Sequence, residues 1–315
     1  MNEYDVVVIG GGAAGLSGAL ALARSRRSVL VIDEGTPRNA PAEHVHNFLT
    51  RDGVPPAELY ALGRAEVAGY GAEVRTGTVT AVSPRDDGFE VESADGTVVR
   101  ARRLLVTTGL ADELPDVQGL AERFGRDVLH CPYCHGWEVR DQAIGVLATG
   151  GMAIHQTMMF RQLSDNVTLF LNDGQEPTEQ EWEELAARGI SVVQGKVVEV
   201  EVTDDKLSGV RLESGKVIPC QALVVQPHAI ARAAFLEELG LVPAEVGAEG
   251  VSMGTVIPSE PGGKTTVPGV WVAGNVADPR AQVITSAAAG LAAGAVINFD
   301  LIEEEIRLAV AARSS

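Results

Sequence analysis

The chain has 315 residues, 45% hydrophobic and 22% charged, enough apolar material for a large core divided over about two domains. Its 43 acidic against 25 basic side chains leave a formal charge of -18, which repels nucleic acid and anionic membrane surfaces, so neither is an expected partner. With no basic stretch followed by an apolar run at the N-terminus, and no uninterrupted apolar segment approaching the roughly 20 residues that span a bilayer, a cytoplasmic location is expected.

Residues 4 to 9 are rich in Val and Ile without alternation, as a central parallel strand requires, and Ala13 to Arg24 has the Ala/Leu spacing of a helix. Between them Gly10, Gly12 and Gly15 make a GxGxxG turn. Ser28 to Ile32 is the next strand and ends on Asp33, whose carboxylate can accept hydrogen bonds from a ribose. GxGxxG alone is a weak signal. Its place between strand and helix, with Asp33 at the expected distance, points to dinucleotide binding rather than to a merely tight turn. Val74 to Val82, Gly88 to Glu92 and Thr97 to Ala101 read as a small antiparallel meander, and Leu104 to Gly109 returns as a buried strand.

A second unit follows: a strand from Ile144 to Ala148, the turn Thr149-Gly150-Gly151-Met152-Ala153, a helix to about Leu163 and a strand from Val167 to Leu171. Core packing accounts for His155, Met152, Met158 and Met159 on that helix, and Glu179 to Glu184 and Glu303 to Glu305 read as solvated helix faces. After Leu223-Val224-Val225 the chain is loop-rich through Pro261-Gly262-Gly263, regains a strand at Val270 to Asn275 and closes with a small-residue helix from Gln282. The order fits an α/β protein of two Rossmann-like three-layer domains, the second inserted into the first: residues 1–112 and 231–315 form one, 113–230 the other.

Chemistry concentrates at Cys131-Pro132-Tyr133-Cys134-His135, because cysteines two residues apart can close a small reversible disulfide. Three cysteines are too few for a secreted disulfide scaffold, and Cys220 reads as buried and inert. Zinc held by the pair with His130 and His135 is the alternative, but four ligands within six residues fold badly around one tetrahedral ion, so no metal is expected. His135 is the candidate to take and return a thiol proton. Tyr133 and Trp137 flank the pair as pocket walls or as interface packing, and His44 and His46 lie in a loop able to touch a cofactor.

In these motifs the chain resembles the low-molecular-weight thioredoxin reductase family over nearly its whole length. The matching stretches are Gly10 to Gly15, Val45-His46-Asn47-Phe48, Thr107-Thr108-Gly109, the cysteine pair, and Ala273-Gly274-Asn275 with Gln282-Val283-Ile284-Thr285. The resemblance implies FAD in the discontinuous domain, with contacts at Asn47, Val79, Thr108, Gly109, Gly274, Asn275, Gln282 and Val283, and usually a homodimer. It also implies that Cys134 faces the flavin and that Cys131 exchanges with substrate.

Three departures matter. The family's Gly-Asp-Ser-Ala turn is replaced by Gly150-Gly151-Met152-Ala153, and its His-Arg-Arg run by Leu171-Asn172-Asp173, where Asp173 repels a 2'-phosphate; NADPH binding is therefore doubtful. The family's Asp after the second cysteine is replaced by His135, an imidazole whose pKa lies nearer a thiol's and which therefore suits proton removal from a dithiol better than a carboxylate. The chain is thus most similar to the gliotoxin- and holomycin-type FAD-dependent dithiol oxidases, which implies a small-molecule dithiol and O2 as partners and H2O2 as product. Alternatives are a thioredoxin reductase fed by NAD(P)H or ferredoxin, and a flavin-bearing redox sensor without turnover.

Overall fold

The computed structural model describes residues 2–248 and 251–314. β1 (Glu3–Ile9), α1 (Ala13–Arg24) and β2 (Val29–Asp33) form the opening unit, with β1 and β2 parallel and Val6 opposite Val29. Val6, Val7, Val8, Leu30 and Val31 are fully buried, because a strand covered on both faces needs a continuous apolar run. α2 (Pro56–Gly69) has no counterpart in the sequence reading; it buries only Pro56, Tyr60 and Val67, too few for a clear helical stripe.

β3 (Glu73–Thr76) joins β2 in parallel, whereas β4 (Val79–Arg85), β5 (Gly88–Ser93) and β6 (Val98–Val106) form the antiparallel meander. The single strand expected over Val74–Val82 is therefore two, broken where the Gly77 N–H donates to the Asp33 carbonyl. Conversely, two expected strands are one: β6 pairs β5 through its first half and Val270–Val272 through its second, with β1 along its other side.

β7 (Leu110–Glu113) leads into the inserted domain. There β8 (Val128–Leu129), α3 (Pro132–His135), β9 (Ile144–Leu147), α4 (Ala153–Phe160), β10 (Val167–Asn172), α5 (Glu179–Ala187) and β11 (Ser191–Gln194) precede a small antiparallel sheet of β12 (Val197–Thr203), β13 (Lys206–Leu212) and β14 (Val217–Ile218). β15 (Ala222–Val225) then completes a five-stranded parallel sheet ordered β11-β10-β9-β15-β8. On α4, His155 is exposed and not a core residue; Gln156 and Thr157 take the buried face, with the Thr157 hydroxyl donating to the Ala153 carbonyl.

The stretch read as loops holds three strands. β16 (His228–Ala231) pairs antiparallel with β7, and β17 (Ala244–Ala248) and β18 (Val251–Val256) extend that sheet. β19 (Val270–Val272) and α6 (Val283–Ser314) return to the first domain. Contrary to the sequence reading, Val283–Arg313 is long and apolar enough, by length and composition, to cross a membrane. It packs as a core helix: Ala293, Ile297 and Leu301 are buried, and the backbones of α6 and α1 meet so closely that a Cβ on Gly290 would stand 1.9 Å from the Ala14 carbonyl oxygen. Nor are Glu304 and Glu305 merely solvated, since Arg102 donates to Glu304 (2.6 Å) and to Glu305 (3.2 Å) as well as to Asp5 (2.7 Å), and Arg27 pairs with Glu305.

The α1–α6 crossing tolerates no side chain at position 290. Gly290→Val is expected to lower stability by at least about 1–3 kcal/mol through overpacking, read as a reduced urea midpoint of the flavin-loaded protein.

Candidate active site

One cavity of about 710 Å³, within the usual range of about 300–1,000 Å³ for small-molecule sites, collects most of the expected residues from both domains. Gly10 and Gly12 line it at the start of α1. A Cβ on Gly10 (φ 105°) would stand 2.6 Å from the Thr107 carbonyl oxygen, while one on Gly12 would meet nothing within 4 Å, so the turn lies open to a ligand. Gly12 is the N-cap of α1 and gives it no side-chain cap, which leaves the first N–H groups for an anion. Gly15 does not line the cavity; its Cβ would be 1.9 Å from the Gly10 carbonyl oxygen, so it seats the helix on the turn. Asp33 accepts from the Gly11 N–H at 2.8 Å through Oδ1, with Oδ2 left for a ribose.

Val79, Thr108 and Gly109 contribute another wall, and the Thr108 hydroxyl donates to the Arg232 carbonyl on the returning chain (2.6 Å). Gly274, Asn275, Gln282 and Val283 line the cavity at the start of α6. Asn275 Nδ2 donates to the carbonyls of Asp278 (3.1 Å) and Ala281 (2.9 Å), a task a carboxylate at this position could not perform. The uncapped start of α1, the Gly-rich turn and a ribose acceptor, with Gln282 and Val283 at the start of α6 on the same cavity, fit FAD.

Cys131, Cys134 and His135 face the same cavity from the inserted domain. Cys131 caps the short helix α3, and both cysteines are free, with sulfurs 2.7 Å apart. A hydrogen bond from Cys134 outweighs burial and, with the N–H groups of Cys134 and Tyr133 and the positive charge of Arg38, brings the Cys131 thiol down to about 7. Cys134 is pushed upward by the proton it shares with Cys131 and by burial, so the pair readily gives up one proton and holds the second. Burial lowers His135 below the ordinary histidine value, against the attraction of Glu138, so the ring is neutral at neutral pH; its Nε2 is buried without a partner. Cys220 is buried, its thiol pushed up to about 12 by desolvation. Among the described residues no group of three or more His, Cys, Asp or Glu could hold a metal.

Asn47 lies outside the lining; its Nδ2 donates to the Tyr133 carbonyl at 2.5 Å, whereas His44 and His46 do line the cavity. Tyr133, Trp137 and Leu49 are exposed, and Arg140 stacks on Trp137 at 4.1 Å. Sequence reasoning missed Arg38, Arg64 and Arg232, the arginines among the lining residues. Arg38 is the first cation after Asp33, which was the available signal; it donates to both oxygens of Asp112 (2.7 and 2.5 Å).

At the far end of the inserted domain, Asn172 (φ 53°) uses Oδ1 to accept from the Val197 N–H (2.9 Å), and Asp173 lies 3.5 Å from Lys196. Thr149, in the turn after β9, donates to the Gln226 carbonyl (2.9 Å).

The sequence pattern of the pyridine nucleotide-disulphide oxidoreductase family matches residues 4–312. The chain belongs to that family. It is 31% identical to thioredoxin reductase sirT of Leptosphaeria maculans, covering 95% of this chain and 94% of that protein. It is 32% identical to thioredoxin reductase tcpT of Claviceps purpurea, covering 96% of each. The solved structure of HlmI superposes with a TM-score of 0.90 at 45% identity, over 98% of this chain and 96% of that one. The family member described here is a flavin-dependent thiol–disulfide oxidoreductase of two Rossmann-like domains.

The thiolate is the reactive form, so alkylation of Cys131 in the reduced enzyme is expected to accelerate as pH rises through a midpoint near 7. Cys134→Ala removes the largest cause of that depression and should move the midpoint toward the ordinary value of about 8.5; an unchanged midpoint would show the charge and backbone contacts to be sufficient.

Proposed function

We propose that this oxidoreductase works as a dithiol oxidase, converting a small-molecule dithiol to its cyclic disulfide with O2 as electron acceptor and H2O2 as product. The observation that carries this direction is the far end of the inserted domain. A 2'-phosphate there would meet Asp173, with Lys196 already beside that carboxylate and the Asn172 amide oxygen spent on the Val197 N–H. NADPH is therefore a poor fit as the electron source. The cysteine pair, by contrast, already stands on the FAD cavity.

Bound FAD supplies the two-electron acceptor that restores the cysteine disulfide and the site where O2 reacts. In the steps made by the chain itself, a substrate thiolate attacks Cys131 Sγ and Cys134 leaves. The second substrate thiol then attacks the substrate sulfur of the mixed disulfide, and Cys131 leaves as a thiolate, favoured by its low pKa. Neutral His135 accepts a thiol proton at its unpartnered Nε2 and returns it later in the cycle. Exposed Leu49, Tyr133 and Trp137 offer an apolar rim for a small peptide-derived substrate. The names of the relatives favour a second reading, thioredoxin reduction fed by NAD(P)H or ferredoxin.

Anaerobic mixing decides between the two. A small dithiol should bleach the flavin, with recovery and peroxide on admitting air, while NADPH and NADH should not; rapid bleaching by a nicotinamide would return the enzyme to the reductases. Cys134→Ser should abolish bleaching by the dithiol. His135→Ala should slow it and shift its pH profile upward, because proton removal then depends on the free thiol's own ionisation.

A homodimer is the assembly we propose. Leu291, Ala295, Phe299, Ile302 and Ile306 form an exposed stripe along α6 at steps of three or four residues, while Asp300, Glu304 and Glu305 turn to arginines of their own domain. The double change Phe299→Glu and Ile306→Glu should halve the mass measured by light scattering with flavin absorbance retained; an unchanged mass would place any dimer contact elsewhere.

A further inference from the structure

The short hairpin after the first ribose-binding strand reaches across the domain boundary to the cysteine turn. Val45 and Val54 are bridged in antiparallel fashion, the Val45 N–H donating to the Val54 carbonyl (2.8 Å) and the Gly53 N–H to the Val45 carbonyl (2.8 Å). At its tip Asn47 is held at φ 59°, a left-handed conformation that asparagine tolerates, and its own N–H donates to Asp52 (2.8 Å). From there Asn47 Nδ2 donates to the Tyr133 carbonyl, the peptide oxygen between the two cysteines, at 2.5 Å. His46, beside it, stands between two carboxylates, with Nδ1 3.4 Å from Asp52 and Nε2 3.4 Å from Glu138, three residues after His135. The hairpin thus holds the Cys131–His135 turn at its middle, through Tyr133, and just beyond its end, through Glu138. A third contact supports the same seat: a Cβ on Gly125 of the inserted domain would stand 2.8 Å from Pro41 Cβ.

We propose that His46 and Asn47 form a latch that holds the cysteine turn at the flavin cavity throughout turnover, which makes Asn47 a positioning residue rather than a cofactor ligand. The inference rests on the dithiol-oxidase reading, in which electrons enter at the cysteines and no second nucleotide has to reach the flavin. Two polar contacts from one short loop restrict rotation of the turn as well as its distance from the cavity, since they engage the segment at two points, Tyr133 and Glu138. A small dithiol can still arrive, because Tyr133 and Trp137 on the outer side of the turn are about two-thirds exposed.

The latch separates two measurable steps: opening of the enzyme disulfide by substrate, and passage of the electron pair to the flavin. Asn47→Gly keeps the left-handed backbone and deletes only the amide. Mixed anaerobically with dithiothreitol, oxidised Asn47→Gly enzyme should release alkylatable cysteine thiols at the parent rate while its flavin bleaches at least tenfold more slowly. His46→Ala combined with Asn47→Gly should slow bleaching further at an unchanged rate of thiol release, both rates taken per bound flavin. Bleaching of Asn47→Gly at the parent rate, or an equal fall in thiol release and bleaching, would overturn the latch and leave the oxidase reading standing. A parent enzyme whose disulfide opens but whose flavin is never bleached by the dithiol would overturn the oxidase reading and the latch with it.

Discussion

Leu110–Glu113 leaves the first domain and His228–Ala231 returns to it as one antiparallel pair, Leu110 opposite Ala231 and Glu113 opposite His228. Because the outgoing and returning strands bond to each other, the insertion is tethered through a small sheet rather than through two independent linkers. Arg38 then fastens the outgoing strand to the loop after Asp33 through both oxygens of Asp112, and Thr108 fastens the returning chain through the Arg232 carbonyl. Those contacts decide which edge of the inserted domain meets the FAD cavity. It is the edge at β8, whose chain continues directly into His130 and Cys131. The site is therefore a product of the tether as much as of the cysteines.

The same arrangement sets the thiol chemistry. Arg38 serves the tether and also lies close enough to add positive potential at both sulfurs, although its pairing with Asp112 limits that effect. The larger influence is mutual: two thiols in contact share one proton, so the first ionisation is easy and the second is resisted. An exchange cysteine with a pKa near 7 is a competent nucleophile and also a good leaving group, as a cycle that opens and closes disulfides requires. His135 complements it from a buried position where the neutral ring is favoured.

Features set by neighbours in sequence were legible without coordinates. The Gly10–Gly15 turn, Asp33 and the Cys131–Cys134 pair each carry their meaning within a few residues of strand or helix. What escaped depends on partners far along the chain. Asn47 meets Tyr133 across 86 positions and Arg38 meets Asp112 across 74, so no local pattern could show that one grips the cysteine turn and the other the linker. α2 escaped because it rests on the core by only three residues, and β16–β18 because their Gly- and Pro-rich flanks read as loop although β16 pairs with the linker strand β7 and carries β18 and β17 in turn. The apolar length of α6 was understated because one side of it is core and the other an exposed stripe, so its pattern is apolar nearly all round.

The two Rossmann-like units differ in what their turn and strand-end side chains already hold. Around Gly10 to Gly12 the polar groups remain available: α1 has no side-chain cap, Asp33 keeps one oxygen, and arginines line the cavity although the chain as a whole is strongly acidic. In the inserted unit the helix after the turn is also without a side-chain cap, but Thr149 is spent on the Gln226 carbonyl and Asn172 on the Val197 N–H, and the nearby cation Lys196 sits beside a carboxylate. A group already satisfied internally gains little from a ligand, and displacing it costs the bond it had. Strand order is alike in the two units, so what sets them apart is a handful of side chains at the ends of strands. The inserted unit carries the cysteine turn directly off β8, the edge strand of its parallel sheet, so the position of the sulfurs follows from that sheet.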